Sequence, residues 1–530
     1  MGQTEQALEV LKKVFGYGSF RKGQQEIIEA VTSGRDALGI MPTGAGKSLC
    51  YQIPAILSGG IAVIISPLIS LMKDQVDSLI QNGVSAASIN SAMDWESASD
   101  IFRGVRQGQV RLLYVAPERL EGAGFAEFLR SIEIGLVVVD EAHCVSQWGH
   151  DFRPSYLNIA PVIASLPKRP TVAAFTATAT PEVRDDIISQ LALREPFTLT
   201  TGFDRENLFF HVEHPADKNA ALMQYIRQFP DVSGIVYAST RKNVETICER
   251  LRGHGISAVR YHAGLSDEER RRNQESFIYD RAAVMVATNA FGMGIDKSNV
   301  RYVIHYNMPS NLDAYYQEAG RAGRDGLPAD CVLFYGSKDI MTARFFIAQS
   351  PEETRAASYR KLQAMVDYCH TNDCLRGYIL KYFGESGVPE KCSACGNCTN
   401  EIERVDITLD AQKILSCVYR MAQASGGGKY GTVMLVNVLR GSKREEVRRL
   451  GFDKISTWGL LKEHSAQNVR EMINFLISEN YLRMENSDFP VLSFTERTMP
   501  FLRDATPLIM RRTEERAQKE ERLKKRAKNV

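Results

Sequence analysis

No stretch of this 530-residue chain restricts its possible folds more than Met41-Pro-Thr-Gly-Ala-Gly-Lys-Ser48. A glycine-rich turn of this kind joins a buried strand to a helix. Its backbone N–H groups face phosphate oxygens, and the helix N-terminus adds positive potential. Thr43, Gly44, Ala45 and Gly46 form the loop; Lys47 is suited to the β- and γ-phosphates and the Ser48 hydroxyl to Mg²⁺. Met41 stands where the strict pattern has its first glycine. Further on, Val137-Val-Val-Asp-Glu-Ala-His143 ends an apolar strand in two carboxylates. Asp140 suits a second magnesium position, and Glu141 is placed to orient and deprotonate an attacking water. Together the two stretches imply ATP hydrolysis on a parallel-sheet scaffold.

Periodicity agrees. Between Phe20 and about residue 200, apolar strands alternate with amphipathic helices: Ala37–Met41, Ile61–Ser66, Arg111–Ala116, Leu136–Asp140 and Thr171–Thr176. The alternation predicts a parallel sheet covered on both faces. It restarts with Ser233–Ala238, Ser257–Tyr261, Ala283–Thr288, Arg301–Tyr306 and Cys331–Tyr335, without a second phosphate loop. Two α/β units with one loop between them predict a nucleotide site in their cleft. From about residue 340 the pattern turns helical. Residues 405–505 predict three helices and a hairpin, Tyr481–Glu485 and Val491–Phe494, turning at Asn486-Ser-Asp. That is the outline of a winged helix, which presents a helix to nucleic acid.

Net charge is only +2, but residues 511–530 carry nine Lys/Arg against four Glu, a charged tail of +5. No apolar run approaches a membrane span and no secretion signal opens the chain, which predicts a cytoplasmic protein. Four of the ten cysteines, Cys374, Cys392, Cys395 and Cys398, cluster with spacing C-x17-C-x2-C-x2-C. In a cytoplasmic chain such thiolates point to a structural Zn²⁺ site, with Cys369 a nearby fifth sulfur.

Three further stretches suggest site residues. Before the phosphate loop, Tyr17, Arg21 and Gln24 offer a ring, a guanidinium plane and an amide to adenine. Gln317, Arg321 and Arg324 lie in a glycine-punctuated stretch, with the two arginines expected on one helix face. Arg324 is the expected finger on the γ-phosphate and Arg321 its neighbour, which requires closure between the two α/β units. Trp148, His150, Phe152 and Arg153 follow the carboxylates in a loop marked by Gly149 and Pro154; stacking faces beside a cation suit single-stranded nucleic acid, although core packing explains aromatic clusters equally well.

Pro42–Ser48, Asp140-Glu-Ala-His143, Thr176-Ala-Thr178 and Gln317–Arg324 together resemble the motifs of superfamily 2 helicases. Phe20-Arg-Lys-Gly-Gln-Gln25, Cys144-Val-Ser-Gln-Trp-Gly-His-Asp-Phe-Arg-Pro-Ser-Tyr156, Phe291-Gly-Met-Gly-Ile-Asp-Lys297 and the cysteines after Tyr382-Phe-Gly-Glu385 resemble the RecQ DNA helicases more narrowly. The resemblance runs from about residue 7 to 505. It implies two tandem RecA-like parallel-sheet domains (residues 1–203 and 204–340), a helical zinc-binding domain (341–404), a winged-helix domain (405–505) and a basic tail (506–530). It also implies that Tyr17, Arg21 and Gln24 recognise adenine, that Cys374 and not Cys369 completes the zinc site, and that Cys144–Tyr156 couples DNA binding to hydrolysis. Arg448, Arg449 and Lys454 fall on the family's duplex-facing segment, where they suit phosphate contacts. Many relatives in the family carry a further small helical domain after the winged helix, where this sequence has the charged tail; two readings stay open, a protein without that module and a shortened chain.

The expected activity is ATP-dependent 3′→5′ unwinding of forked or branched DNA in repair and recombination, with ATP, Mg²⁺ and Zn²⁺ as cofactors. Expected partners are single-stranded and forked DNA and a single-strand-binding protein, with nucleoid association in a bacterium. Two rivals stay open: an RNA helicase of the same superfamily, and a DNA-binding scaffold without turnover.

Overall fold

The computed structural model describes residues 2–90, 93, 95–149, 151–215, 217–230, 232–292, 297–371, 373–399, 402–485, 491–504 and 506–513. His150, residues 293–296, the expected turn at Asn486-Ser-Asp with nearby Phe489, and residues 514–530 of the tail lie outside the described residues. The chain forms two compact units, residues 1–365 with 375–394, and residues 366–374 with 395–530.

The first unit holds two sheets. One comprises β1 (Ala37–Ile40), β2 (Ile61–Ile65), β3 (Ala86–Ile89), β4 (Leu112–Val115), β5 (Ile134–Val139), β6 (Thr171–Thr176) and β7 (Phe197–Thr200), in the order β3-β4-β2-β5-β6-β1-β7. The other comprises β8 (Leu208–Glu213), β9 (Ser233–Tyr237), β10 (Ala258–Tyr261), β11 (Val284–Ala287), β12 (Val300–His305) and β13 (Ala329–Phe334), in the order β10-β11-β9-β12-β13-β8. Every strand pair in both sheets is parallel. Buried apolar runs such as Ala37-Leu-Gly-Ile form the centres, because helices cover both faces.

Three strands were absent from the sequence expectation: β3, β7 and β8. All are edge strands in which most residues are only partly buried or exposed, so they lack the continuous apolar run that marks a central strand. Buried Asp36, just before β1, fastens the first sheet's edge. Its carboxylate pairs with Arg169 and accepts from the backbone N–H groups of Val172 (2.9 Å) and Arg194 (2.8 Å).

In the second unit, helices Thr408–Ala424, Thr432–Leu439 and Ala466–Ser478 bury Ile414, Leu415, Leu435, Leu439, Met472 and Ile473 in one core with Leu482 and Leu492 of the antiparallel pair β15 (Leu482–Glu485) and β16 (Val491–Phe494). Two shorter pieces, Glu445–Arg449 and the 3₁₀ turn Phe452–Lys454, add to the three expected helices. The unit is also wider than its expected limits. β14 (Ile402–Asp406) pairs antiparallel with β17 (Ile509–Thr513), so part of the expected tail is strand. Among the described residues, no helix is long and apolar enough to cross a membrane.

Candidate ATP site, nucleic-acid surfaces and cysteine cluster

The carboxyl ends of three neighbouring strands, β5, β6 and β1, bring the phosphate loop, the two carboxylates and Thr176–Thr178 together. Crevices at such strand ends are where open α/β sheets hold ligands. Gly46, at φ +83°, turns the chain into the helix Lys47–Leu57. A Cβ at Gly46 would lie 2.4 Å from Gln24 Nε2, so only glycine fits.

Lys47 donates to the Met41 carbonyl at 3.0 Å. Burial pushes its ammonium below its usual pKa, while Glu141 and Asp140 act in the opposite sense. Burial also lifts the Asp140 carboxyl to about 7, reinforced by Glu141 and opposed by Lys47. Asp140 and Glu141 thus offer neighbouring carboxylates close to the Lys47 ammonium. Glu141 has left-handed backbone (φ +46°), costly for a residue with a side chain. From Glu141 a line of polar contacts leaves the strand end. His143 Nδ1 lies 3.3 Å from Glu141 Oε2 and 2.9 Å from Thr176 Oγ1, and Thr176 Oγ1 donates to the Thr178 carbonyl at 3.0 Å.

The second sheet meets this line directly. Gln317 Nε2 donates to Thr178 Oγ1 at 3.2 Å. The helix carrying Gln317 is Leu312–Ala319; the Asn311 side chain caps it, accepting from Ala314 N at 2.7 Å. Arg321 and Arg324 therefore do not share a helix face. They lie in the turn beyond Gly320, and the two arginines have different surroundings. Arg324 rests on the phosphate loop: a Cβ at Gly44 would sit 3.8 Å from its Cγ, and its charge reaches Lys47. Arg321 is buried beside Tyr237, with Nη2 close against Gly292.

Of the expected adenine contacts, Tyr17 is half exposed, and Arg21 donates through Nη1 to the Gly44 carbonyl. Gln24 is buried. Its Nε2 donates to the carbonyls of Ala45 and Gly46, both at 3.1 Å, and its Oε1 accepts from Arg21 N at 2.8 Å. The segment thus braces the phosphate loop from behind. Thr43 and Ala45 belong to the loop itself, and Ser48 lies in the first turn of the helix.

In the aromatic loop, Trp148 is 46% exposed, with the Arg360 guanidinium 5.0 Å from its ring centroid. Phe152 is half-buried. Arg153 is engaged within the protein: it pairs with Asp151 at 3.1 Å and donates to the Pro67 carbonyl at 3.1 Å. Arg448, Arg449 and Lys454 are exposed at the end of the short helix and on the following 3₁₀ turn.

The ligand atoms of Cys374, Cys392, Cys395 and Cys398 all lie within 4.8 Å of one another. Cys374 Sγ and Cys395 Sγ are 3.9 Å apart, close to the roughly 3.8 Å edge of a tetrahedron with Zn–S near 2.3 Å. Four sulfurs and no open position fit a structural zinc ion. Cys369 is buried in the helix Glu352–His370 and is not part of the group.

Family descriptions match almost end to end: DEAD/DEAH box helicase at residues 21–187, helicase conserved C-terminal domain at 217–326, RecQ zinc-binding at 337–399 and RQC domain at 401–519. The chain is 48% identical over 488 residues to the ATP-dependent DNA helicase RecQ of Bacillus subtilis, covering 92% of this chain and 82% of that one. The chain belongs to the RecQ helicase family. The Pasteurella multocida RecQ is 40% identical, with 95% of this chain and 79% of that one covered. Among solved structures, S. cerevisiae Dbp5 bound to RNA and ADP BeF3 superposes with a TM-score of 0.52 at 18% identity, over 67% of this chain and 97% of that one. At that identity the likeness concerns the fold of the paired sheets.

One part of this RecQ-family site escaped the sequence reading. Arg205 and Asn207, in the segment leading into β8, both bond the turn that carries Arg321 and Arg324. The signal was Asp204-Arg-Glu-Asn207, a polar run at the junction of two α/β repeats, where a plain linker needs no such residues.

Proposed function

We propose that this chain is an ATP-dependent DNA helicase in which the two sheets of the first unit form one hydrolytic site. The observation that carries this reading is the seat of Arg324 on the phosphate loop, with Gln317 bonded to Thr178 beside it. Lys47 and the loop N–H groups bind the β- and γ-phosphates, and Tyr17, Arg21 and Gln24 lie on the adenine side, Gln24 holding the loop while Tyr17 and Arg21 face the base. Ser48 and Asp140 would hold Mg²⁺, whose charge offsets that of the phosphates when bound. Glu141 accepts a proton from water as that water's oxygen bonds to the γ-phosphorus. The bond from the γ-phosphorus to the bridging oxygen breaks, and its electron pair leaves with ADP. Arg324 and Arg321 stabilise the γ-phosphoryl charge in this step.

Residues 1–203 and 204–340 act as the two jaws. Loss of the γ-phosphate removes what Arg324 holds, and the jaws part. Alternate gripping of one strand then gives movement, 3′→5′ as in the family. Trp148, His150, Phe152 and Arg153 report the strand to the carboxylates. Arg448, Arg449 and Lys454 hold duplex phosphates at a fork. Forked or branched repair intermediates, a single-strand-binding protein and the nucleoid are the proposed setting.

ATP turnover measured without nucleic acid, with single-stranded DNA and with single-stranded RNA tests the proposal, beside Lys47→Ala. DNA-stimulated turnover lost in the variant is expected. Preference for RNA, or DNA binding without turnover, would overturn it.

A further inference from the structure

The residues between β7 and β8 form a clamp. Arg205 Nη1 donates to the Thr43 carbonyl of the phosphate loop (3.2 Å) and to the Gly320 carbonyl (3.3 Å). Its Nη2 donates to the carbonyls of Ala322 (3.1 Å) and Gly323 (2.9 Å). One guanidinium thus bonds the first sheet's loop and the second sheet's arginine turn together. Asn207 Nδ2 adds bonds to Gly323 O (2.8 Å) and Leu327 O (2.9 Å). Gly323 has φ +56°, and a Cβ there would lie 2.4 Å from Asn207 Nδ2. The clamp therefore moulds the turn as well as touching it.

Arg205 is itself held. Arg376, buried on the helix Leu375–Tyr382, donates to the backbone carbonyls of Arg205 (2.7 Å), Glu206 (3.3 Å) and Leu208 (2.6 Å), and pairs with Asp204. Phe203 stacks on Phe383 with centroids 4.6 Å apart, and its N–H donates to Glu385. The segment is thus fixed from one side by Arg376 and Glu385, while Arg205 reaches out from the other.

We infer that Arg205 is a positioning residue for ATP hydrolysis: it sets the Arg324 turn on the phosphate loop, and Arg376 sets Arg205. The inference rests on the reading above that Arg324 acts on the γ-phosphate. Arginine is required because its planar fork reaches four carbonyls on two segments; a lysine ammonium is a point donor. The four acceptors are neutral, so the contribution lies in geometry. Displacing a catalytic group by about 1 Å can cost roughly 10²-fold in rate.

The test uses the full chain with single-stranded DNA, and Arg205→Ala, Arg205→Lys, Arg324→Ala and the Arg205→Ala/Arg324→Ala double variant. Steady-state kcat and KM for ATP are measured, with binding of fluorescently labelled ADP alone and with aluminium fluoride. Arg205→Ala is expected to lower kcat by roughly 10²-fold, with KM and ADP affinity little changed and aluminium fluoride no longer tightening ADP binding. Arg205→Lys falls between, and serves as the test variant if the alanine form does not fold. The double variant should be no slower than Arg324→Ala, because a positioning residue has nothing left to position. Multiplying losses would overturn the inference, as would normal kcat in both Arg205 variants beside an inactive Arg324→Ala. Full turnover in Arg324→Ala would instead sink the underlying reading of the finger.

Discussion

The Tyr156 hydroxyl donates to the Asp140 backbone carbonyl at 2.9 Å, fastening the far end of the aromatic loop to the strand end that bears both carboxylates. Tyr156 is fully buried, so this bond is shielded from water. A movement of the loop on meeting DNA would reach Asp140 through one hydrogen bond. Tyr156→Phe removes the bond and keeps the ring. The ratio of DNA-stimulated to basal turnover is expected to fall roughly fivefold, the equivalent of about 1 kcal/mol. An unchanged ratio would place coupling elsewhere in the loop.

Glu141 sits on left-handed backbone, and in the proposed mechanism its carboxylate accepts the water proton. Glu141→Gln should bind nucleotide normally while turnover drops by about 10²–10⁴-fold. Phosphate release measured beside nucleotide binding separates the two effects. Wild-type turnover in this variant would remove Glu141 from the mechanism.

Asp36 makes a prediction about stability. Burial raises its carboxyl pKa, but Arg169 and the N–H groups of Arg194 and Val172 outweigh burial and hold it below the usual value. A depressed carboxyl stabilises the fold above its unfolded pKa of about 3.9, and the contribution is lost as pH falls through the folded value. Asp36→Ala leaves half-buried Arg169 and the buried Val172 N–H without their acceptor and should cost about 1–3 kcal/mol at neutral pH. The gap from wild type in urea unfolding should narrow below about pH 4. A gap independent of pH would mean that packing, not charge, is what Asp36 supplies.

Cys395 is fully buried and central to the sulfur cluster. Cys395→Ser should lower the zinc content of purified protein, measured by atomic emission, and lower its melting temperature. Retention of one zinc per chain would remove Cys395 from the ligand set.

Local chemistry decided what was legible beforehand. The phosphate loop, the two carboxylates and the cysteine spacing are short, and each needs its residue types at fixed separations, so they could be read directly. β3, β7 and β8 could not: at a sheet edge, pairing with a neighbour substitutes for an apolar run, and a single sequence does not show the neighbour. The arginine turn was misread as helix because three-residue spacing cannot reveal that Gly320 and Gly323 stop it. Arg153 shows a similar limit. Its cation was legible, but Asp151 and the Pro67 carbonyl, which engage it, are a matter of folding. Arg205 bonds residues more than a hundred positions away, so the polar run around it marks a contact without naming the partner.

The pairing of β14 with β17 has a mechanical corollary. Ile402, at the strand that opens the winged-helix fold, is registered against Thr513, and Asp406 against Ile509. Tension applied to the chain at Ile402 and Thr513 would meet these bonds in series, from the outer pair inward, and unzip them singly. Resistance in that geometry is set by one bond at a time. The clasp would open under a small load while the core behind it stayed intact, a fuse rather than a girder.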